Sequence, residues 1–521
     1  MISYIALTSL LWLSVSFATS NPTHETFMQC MSTQFDAYTK SVQIIFHTSN
    51  SSMYSNLLQS SQQNPRRLNS TTARPLLIIT PFHESEIQAA ILRRKKLGLQ
   101  IRVRSGGHDY EGLSYCCKTP FIIVNLINLR SVELNLEDET AWGIHGFPAG
   151  ICPSVIEGGH FSGGRFGTLI RKYGLAADNV LDAYLIDVHG KVLNRKAMGE
   201  DLFWAIRGRG GASFGIILSW KIKLVRVPPT VTGFTISKTL EQGATKLVSR
   251  WQYIADKLHE DLFIRVIVQD VGNGSLKTVQ ASFNSLFLGG IERLIPLMNE
   301  SFPELGLQAQ DCNEMSWIQS VLYFSGYQKG DHLEVLLDRS TLYKSFFKAK
   351  SDFVQEPITE LILEEIWERF LEEQLVFIIM DPFGGQMNEI SESEILFPRR
   401  KGYFYNIQYL VKWEVNGIMA SSEHINWIRL LYDYMRPYVS KHPRVACLNY
   451  RDLDLGANKP GNTSYLEARV WGRKYFKGNF KRLTKVKTKV DPDNFFRNEQ
   501  SIPLLILLKT NPRKGPTIQQ A

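Results

Sequence analysis

The chain has 521 residues, 44% hydrophobic and 21% charged, enough apolar content to bury a real core in two or more packed units, which excludes a disordered chain. Lys and Arg number 59 against 50 Asp and Glu, a mild excess spread along the chain that suits a polyanionic setting but names no partner. Six cysteines in a chain this long do not make a disulfide scaffold.

Ile2 to Phe17 is an apolar run without charge, followed by the small residues Ala18, Thr19 and Ser20 and then Asn21 and Pro22. This predicts a secretory signal peptide over 1–20, too short for stable membrane insertion. Sequons at Asn50, Asn69, Asn273, Asn299 and Asn462 agree with that route and predict a glycoprotein. A secreted protein of the apoplast or cell wall follows, with the vacuole as the alternative compartment.

From Pro75 the pattern turns α/β. Leu76 to Thr80 reads as a buried strand, Glu86 to Leu97 as a helix closed by Gly98, and Ile101 to Arg104 as an alternating strand, together one βαβ-like unit. Phe121 to Leu126 and Val180 to Val188 are further strands, and Glu200 to Ile206 is a short helix. Val227-Pro228-Pro229 marks a boundary, because consecutive prolines continue neither a helix nor a central strand. The second unit carries a helix at Ile358 to Glu373 with Ile358, Leu361, Ile362, Ile366 and Phe370 inward, a strand at Leu375 to Met380, a strand at Phe404 to Trp413 and a helix at Glu423 to Tyr438. Arg473 to Lys489 is dense in lysine, interleaved with Tyr475, Phe476 and Phe480; it reads as an amphipathic helix with solvated lysines rather than as a nucleic-acid surface.

Four glycine-rich runs carry chemistry. Ser105-Gly106-Gly107-His108-Asp109-Tyr110 follows a strand, and its paired glycines let backbone amides approach a phosphate while placing an imidazole beside a ring. Gly146 to Pro153 holds Cys152 and runs on through Val155 to Gly158-Gly159-His160-Phe161-Ser162-Gly163-Gly164. Tyr173 to Val180 contains Asn179, and Glu200 to Gly208 closes the set. No Gly-x-Gly-x-x-Gly opens a helix at the first run, so it is not a Rossmann fingerprint.

In this order the four runs resemble the FAD-binding domain of the vanillyl-alcohol oxidase superfamily, most closely plant berberine bridge enzyme-like proteins. Tyr405-Asn406-Ile407-Gln408-Tyr409, Asn449 to Gly456 and Val490 to Phe496 agree. The resemblance implies an α+β fold: a two-part FAD-binding domain of the p-cresol methylhydroxylase type, over 21–71 and 72–228, and a substrate domain over 229–445 whose antiparallel sheet is covered by helices. A C-terminal segment over 446–508 returns to the FAD domain, leaving a tail at 509–521. It also implies FAD bonded bicovalently through His108 and Cys152, with Ser105, Gly106, Gly107, Val155, Gly158, Gly159, His160, Gly163 and Asn179 around it and no metal. Two tethers fix the ring and withdraw electron density, making a stronger hydride acceptor. Tyr450 corresponds to the base, with its phenol pKa of about 10 lowered to serve near neutrality, and Tyr110 and Gln408 line the same pocket. Val155 stands at an oxygen gate and is of the admitting type. The implied activity is that of a monomeric oxidase taking hydride from a small alcohol, sugar or alkaloid, with molecular oxygen as the second substrate and hydrogen peroxide as product.

The chain also departs from the family pattern. Between Trp142 and Gly146 a loop and helix of the cofactor domain are missing; Phe166 stands where a pocket tyrosine is usual, and Arg165 and Arg209 replace glycines. Ile156 and Glu157 replace a Gly-Val pair, Cys447 an aromatic, and Arg93 occupies the position of the expected partner of Cys30, leaving Cys116 and Cys117 as open candidates. These departures favour, as the alternative function, a catalytically impaired member serving as a binding or storage protein.

Overall fold

The computed structural model describes residues 45–60, 62–67, 73–133, 145–152, 154–155, 157–208, 211–272, 274–328, 330–338, 344–459, 461 and 463–505. The leader, Cys30, the shortened segment after Trp142, Ile156, Arg209, the sequons at Asn69, Asn273 and Asn462, and the tail lie outside these residues.

The first layer is a four-stranded sheet of β1 (Phe46–His47), β2 (Leu77–Ile79), β3 (Gln100–Arg104) and β4 (Phe121–Asn125) in the order β1-β2-β4-β3. Strand β4 is fully buried and pairs in parallel with both β2 and β3, while β1 closes the edge antiparallel. Helix α1 (Glu84–Leu97) makes the crossover from β2 to β3 and stops at Gly98, whose φ of 67° is the left-handed C-cap favouring glycine. A three-stranded antiparallel sheet follows, with β5 (Val180–Ile186) flanked by β6 (Val192–Leu193) and β7 (Ile216–Ile222); helix α2 (Arg195–Ile206) packs beside it.

After the prolines the chain builds a seven-stranded, wholly antiparallel sheet from β8 (Val231–Thr239), β9 (Leu262–Val271), β10 (Thr278–Phe287), β11 (Cys312–Met315), β12 (Phe346–Val354), β13 (Val376–Pro382) and β14 (Tyr405–Trp413). Its order is β11-β8-β10-β9-β13-β14-β12. The period-2 alternation decides its two faces. Ile264, Val266, Met380, Ile407, Tyr409 and Val411 point to helices α3 (Ala244–Ile254), α4 (Glu360–Leu371) and α5 (Ile418–Tyr434) in the largest core cluster. The opposite face therefore presents Arg265, Asp381, Asn406 and Gln408. The α+β architecture expected from sequence is the architecture observed.

Two sequence expectations need correction. In α4 the buried stripe is Leu363, Ile366, Trp367 and Phe370, while Leu361 is 64% exposed; the helix begins only after Thr359, and its i, i+3, i+4, i+7 row is set from there. The basic stretch is two helices, α6 (Tyr465–Phe476) and α7 (Asn479–Val490), broken where Lys477 takes a φ of 49°. Its aromatics are buried as expected, but Lys487 is buried too, its ammonium donating to Asp491, the Ser213 carbonyl and the Phe496 carbonyl, and burial pushes it down to about 8.

Candidate cofactor and substrate site

Strand β3 delivers the chain into Ser105–Asp109, and Gly107, at φ 72°, makes the turn that carries His108. Ser105, Gly106, Gly107 and His108 line one wall of a cavity; Val155, Gly158, Gly159, His160 and Gly163 line another. Leu448, Asn449 and Arg451 close it from the C-terminal segment, together with Phe496, Arg497 and Asn498. Two glycine-rich backbones facing one cavity suit a phosphate-bearing cofactor with a flat ring. The Asn449 Oδ1, buried without a hydrogen-bond partner among the described residues, is a polar atom available to such a group.

Of the glycines in the second run, Gly163 is the crowded one, whereas Gly158 and Gly159 have room for a Cβ. A Cβ on Gly163 would lie 2.4 Å from Asn449, whose amide donates to the His160 carbonyl at 3.3 Å and sits 3.0 Å from His160 Nδ1, so Asn449 cannot withdraw freely. Gly163→Ala is accordingly expected to lower the flavin-to-protein absorbance ratio of the purified protein. An unchanged ratio would show that Asn449 can move aside.

His108 and Cys152 come together through a residue that sequence reasoning passed over. Ser154 Oγ lies 3.2 Å from His108 Nε2 and 3.3 Å from Cys152 Sγ. His108 is pushed down to about 4, first by burial and then by the Arg165 cation, against a hydrogen bond donated by the ring to the Ser154 backbone carbonyl, so its ring is neutral at pH 7. His160 is held well below the ordinary imidazole range by burial, then by Arg165 and His108. Cys152 itself is exposed. Asn179 is not brought to the cavity; its amide donates to the Tyr173 and Leu175 carbonyls at 2.9 and 3.0 Å and stabilises the turn before β5.

The three residues expected to line the substrate pocket do converge. Tyr110 stacks on Tyr450 at 5.7 Å between ring centroids, and Gln408 donates to the Tyr110 hydroxyl at 2.9 Å from the face of the large sheet opposite its helices. Phe166 meets Tyr450 edge-on at 6.2 Å, supplying a ring edge where a hydroxyl is usual. Asp109 accepts from Arg451 at 2.7 Å and so ties the residue before Tyr110 to the residue after Tyr450. The expected lowering of the Tyr450 phenol is not observed. Burial, then Asp381, Cys447 and Tyr110, hold it well above its ordinary value, and the opposing Arg265 cation is committed to Asp381 at 2.6 Å. Arg265 and Asp381 were not legible as site residues, because only the register of β9 on β13 brings them together.

Residues 446–503 match the family model described as berberine and berberine like. The chain is 54% identical over 516 residues to berberine bridge enzyme-like 22 of Arabidopsis thaliana, covering 95% of this chain and 97% of that one. It is 50% identical over 518 residues to a tetrahydroberberine oxidase of Berberis wilsoniae, covering 94% and 96%. Among solved structures, berberine bridge enzyme-like 28 of Arabidopsis thaliana superposes with a TM-score of 0.85 at 45% identity, over 93% of this chain and all of that one. The grass pollen allergen Phl p 4, described as having glucose dehydrogenase activity, does so with a TM-score of 0.85 at 41% identity, over 92% and 100%. The cavity, the paired glycine runs and these likenesses agree: the chain belongs to the berberine bridge enzyme-like family of FAD-dependent oxidoreductases.

Proposed function

We propose that this protein is a secreted oxidase that holds FAD on two covalent tethers, His108 and Cys152, and oxidises a small alcohol, sugar or alkaloid at the expense of molecular oxygen. The observation that carries the reading is the Cys152–Ser154–His108 chain at the cavity, with Tyr110, Tyr450 and Gln408 gathered next to Asp109 and Arg451, which line it. When bound, FAD supplies the hydride acceptor. The chain's own groups orient the substrate: Tyr450 receives the hydroxyl proton, Gln408 fixes the Tyr110 hydroxyl, and the Phe166 edge excludes water from the stack. Val155, lining the cofactor cavity, is the side chain past which oxygen would enter. Relatives named as a tetrahydroberberine oxidase and as a protein with glucose dehydrogenase activity lend support to the range of substrates.

Secretion is supported by the leader-like run over 1–20 and by the exposure of Asn50 and Asn299, the sequon asparagines among the described residues. No helix among the described residues is long and apolar enough to cross a membrane. The test of the tethers is acid precipitation, since a covalent bond survives unfolding. A yellow pellet is expected; a colourless pellet under a yellow supernatant would refute covalent attachment. His108→Ala is expected to remove the imidazole tether and lower substrate turnover, and equal turnover would remove His108 from the assignment.

A further inference from the structure

We propose that Ser154 is a positioning residue for flavin attachment, carrying the thiol proton of Cys152 to His108 Nε2 as the sulfur tether forms. The proposal rests on the two-tether reading and goes beyond it by assigning how the second bond is made. A thiol ordinarily keeps its proton at neutral pH, and the thiolate is the nucleophile, so attachment needs a base. Cys152 Sγ and His108 Nε2 are each within reach of the Ser154 hydroxyl, at 3.3 and 3.2 Å. A hydroxyl both donates and accepts, which makes it suited to join them. In one direction the thiol donates to Ser154 Oγ and the Ser154 hydroxyl donates to Nε2. Reversing the chain leaves a thiolate accepting from Ser154 and a proton on Nε2. His108, half-buried and neutral at pH 7, holds that proton only transiently before passing it on, and Nε2 is the ring nitrogen within reach of Ser154.

The bond-making then balances. The thiolate adds to a carbon of the flavin ring, the S–C bond forms, and the C–H bond at that carbon breaks with loss of its proton. The electron pair stays in the ring, which is reduced by two electrons. Molecular oxygen accepts the pair and, with the thiol proton and the ring proton, becomes hydrogen peroxide. With Ser154 engaging Nε2, Nδ1 would be the nitrogen left to hold the flavin, so the imidazole tether would not interrupt the relay.

The experiment is peptide mapping of the purified holoenzyme and its Ser154→Ala, Ser154→Thr and Ser154→Val variants, expressed for the same time. In the parent, flavin should link the His108 and Cys152 peptides into one species. In S154A and S154V the flavin should remain on the His108 peptide with Cys152 free to alkylate after unfolding, and the doubly tethered fraction should fall at least tenfold. S154T, which keeps the hydroxyl, should match the parent, and incubating S154A at alkaline pH in air should restore the second tether by ionising the thiol directly. A purely structural role would make Val and Thr alike, because they are nearly isosteric. Parent-like double tethering in S154A, or equal behaviour of Val and Thr, overturns the proposal while leaving the two-tether reading intact. A parent that lacks either tether overturns the two-tether reading itself, and the relay with it.

Discussion

Replacing Tyr450 by Phe is expected to slow substrate-dependent flavin bleaching by roughly 10² to 10⁴, the usual worth of a positioned general base. The substitution removes only the hydroxyl, so the stack on Tyr110 and the edge contact with Phe166 remain. Its pH dependence follows from the direction of the phenol shift. Burial and the nearby Asp381 carboxylate hold Tyr450 well above its ordinary value, so the phenolate is the minor form at neutrality. Below the phenol pKa the phenolate fraction grows about tenfold per pH unit, and the bleaching rate should therefore rise steadily from about pH 6 to about pH 10 without a plateau. In Tyr450→Phe the rise should disappear. Anaerobic stopped-flow bleaching with an accepted substrate measures both, and a variant that bleaches at the parental rate with the parental profile would reduce Tyr450 to a packing ring.

How far the sequence reached is clearest at particular elements. Helix α1 is expected from Glu86, yet it begins at Glu84, because Glu86 accepts from the backbone amides of Phe82 and His83 at 2.7 and 3.1 Å and is a capping residue inside the first turn. Its end was plain, since Gly98 can adopt the left-handed conformation there. The helix expected at Glu200 opens as early as Arg195, across a non-helical Gly199, and no local period marks that kink. The burial of Lys487 was invisible for another reason: its partners Ser213 and Phe496 are brought to it by folding and leave no trace in a charge pattern. At the site, glycine runs and the imidazole were readable because each needs a particular residue type in place. Ser154 and Arg265 were not, because their roles depend on side-chain geometry and strand register. Gln408 meets Tyr110 across 298 positions of sequence, a contact reached only through the family resemblance.

Asp452→Ala is expected to be strongly destabilising, because Asp452 is the more deeply buried of two carboxylates, with Asp454, that are shared by two buried lysines. Its Oδ1 accepts from Lys348 at 2.7 Å and its Oδ2 from Lys350 at 2.8 Å; the three side chains are each 3% exposed. Lys348 also pairs with Glu111, 1% exposed and held by Arg66 at 3.1 Å. Removing one partner of a buried ion-pair network costs about 3–5 kcal/mol where a charge is left unpaired; Asp454, which reaches Lys350 at 2.9 Å and Lys348 at 3.6 Å, should keep the loss near the lower figure. The cost should fall on function as well as stability. Glu111 follows Tyr110, Asp452 lies two residues beyond Tyr450, and Lys348 and Lys350 stand on β12, which pairs with the strand carrying Gln408. The network thus holds the three pocket residues in one frame. Denaturant unfolding of the flavin-loaded protein measures the loss, with Glu200→Ala as control, since the exposed Arg195–Glu200 pair should contribute at most about 1 kcal/mol. If Asp452→Ala costs no more than that control, Glu111 and Asp454 suffice to hold the two lysines. If the cost is as expected, Asp452→Ala should also slow bleaching in protein that remains folded, because Tyr450 then loses its fixed position against Tyr110.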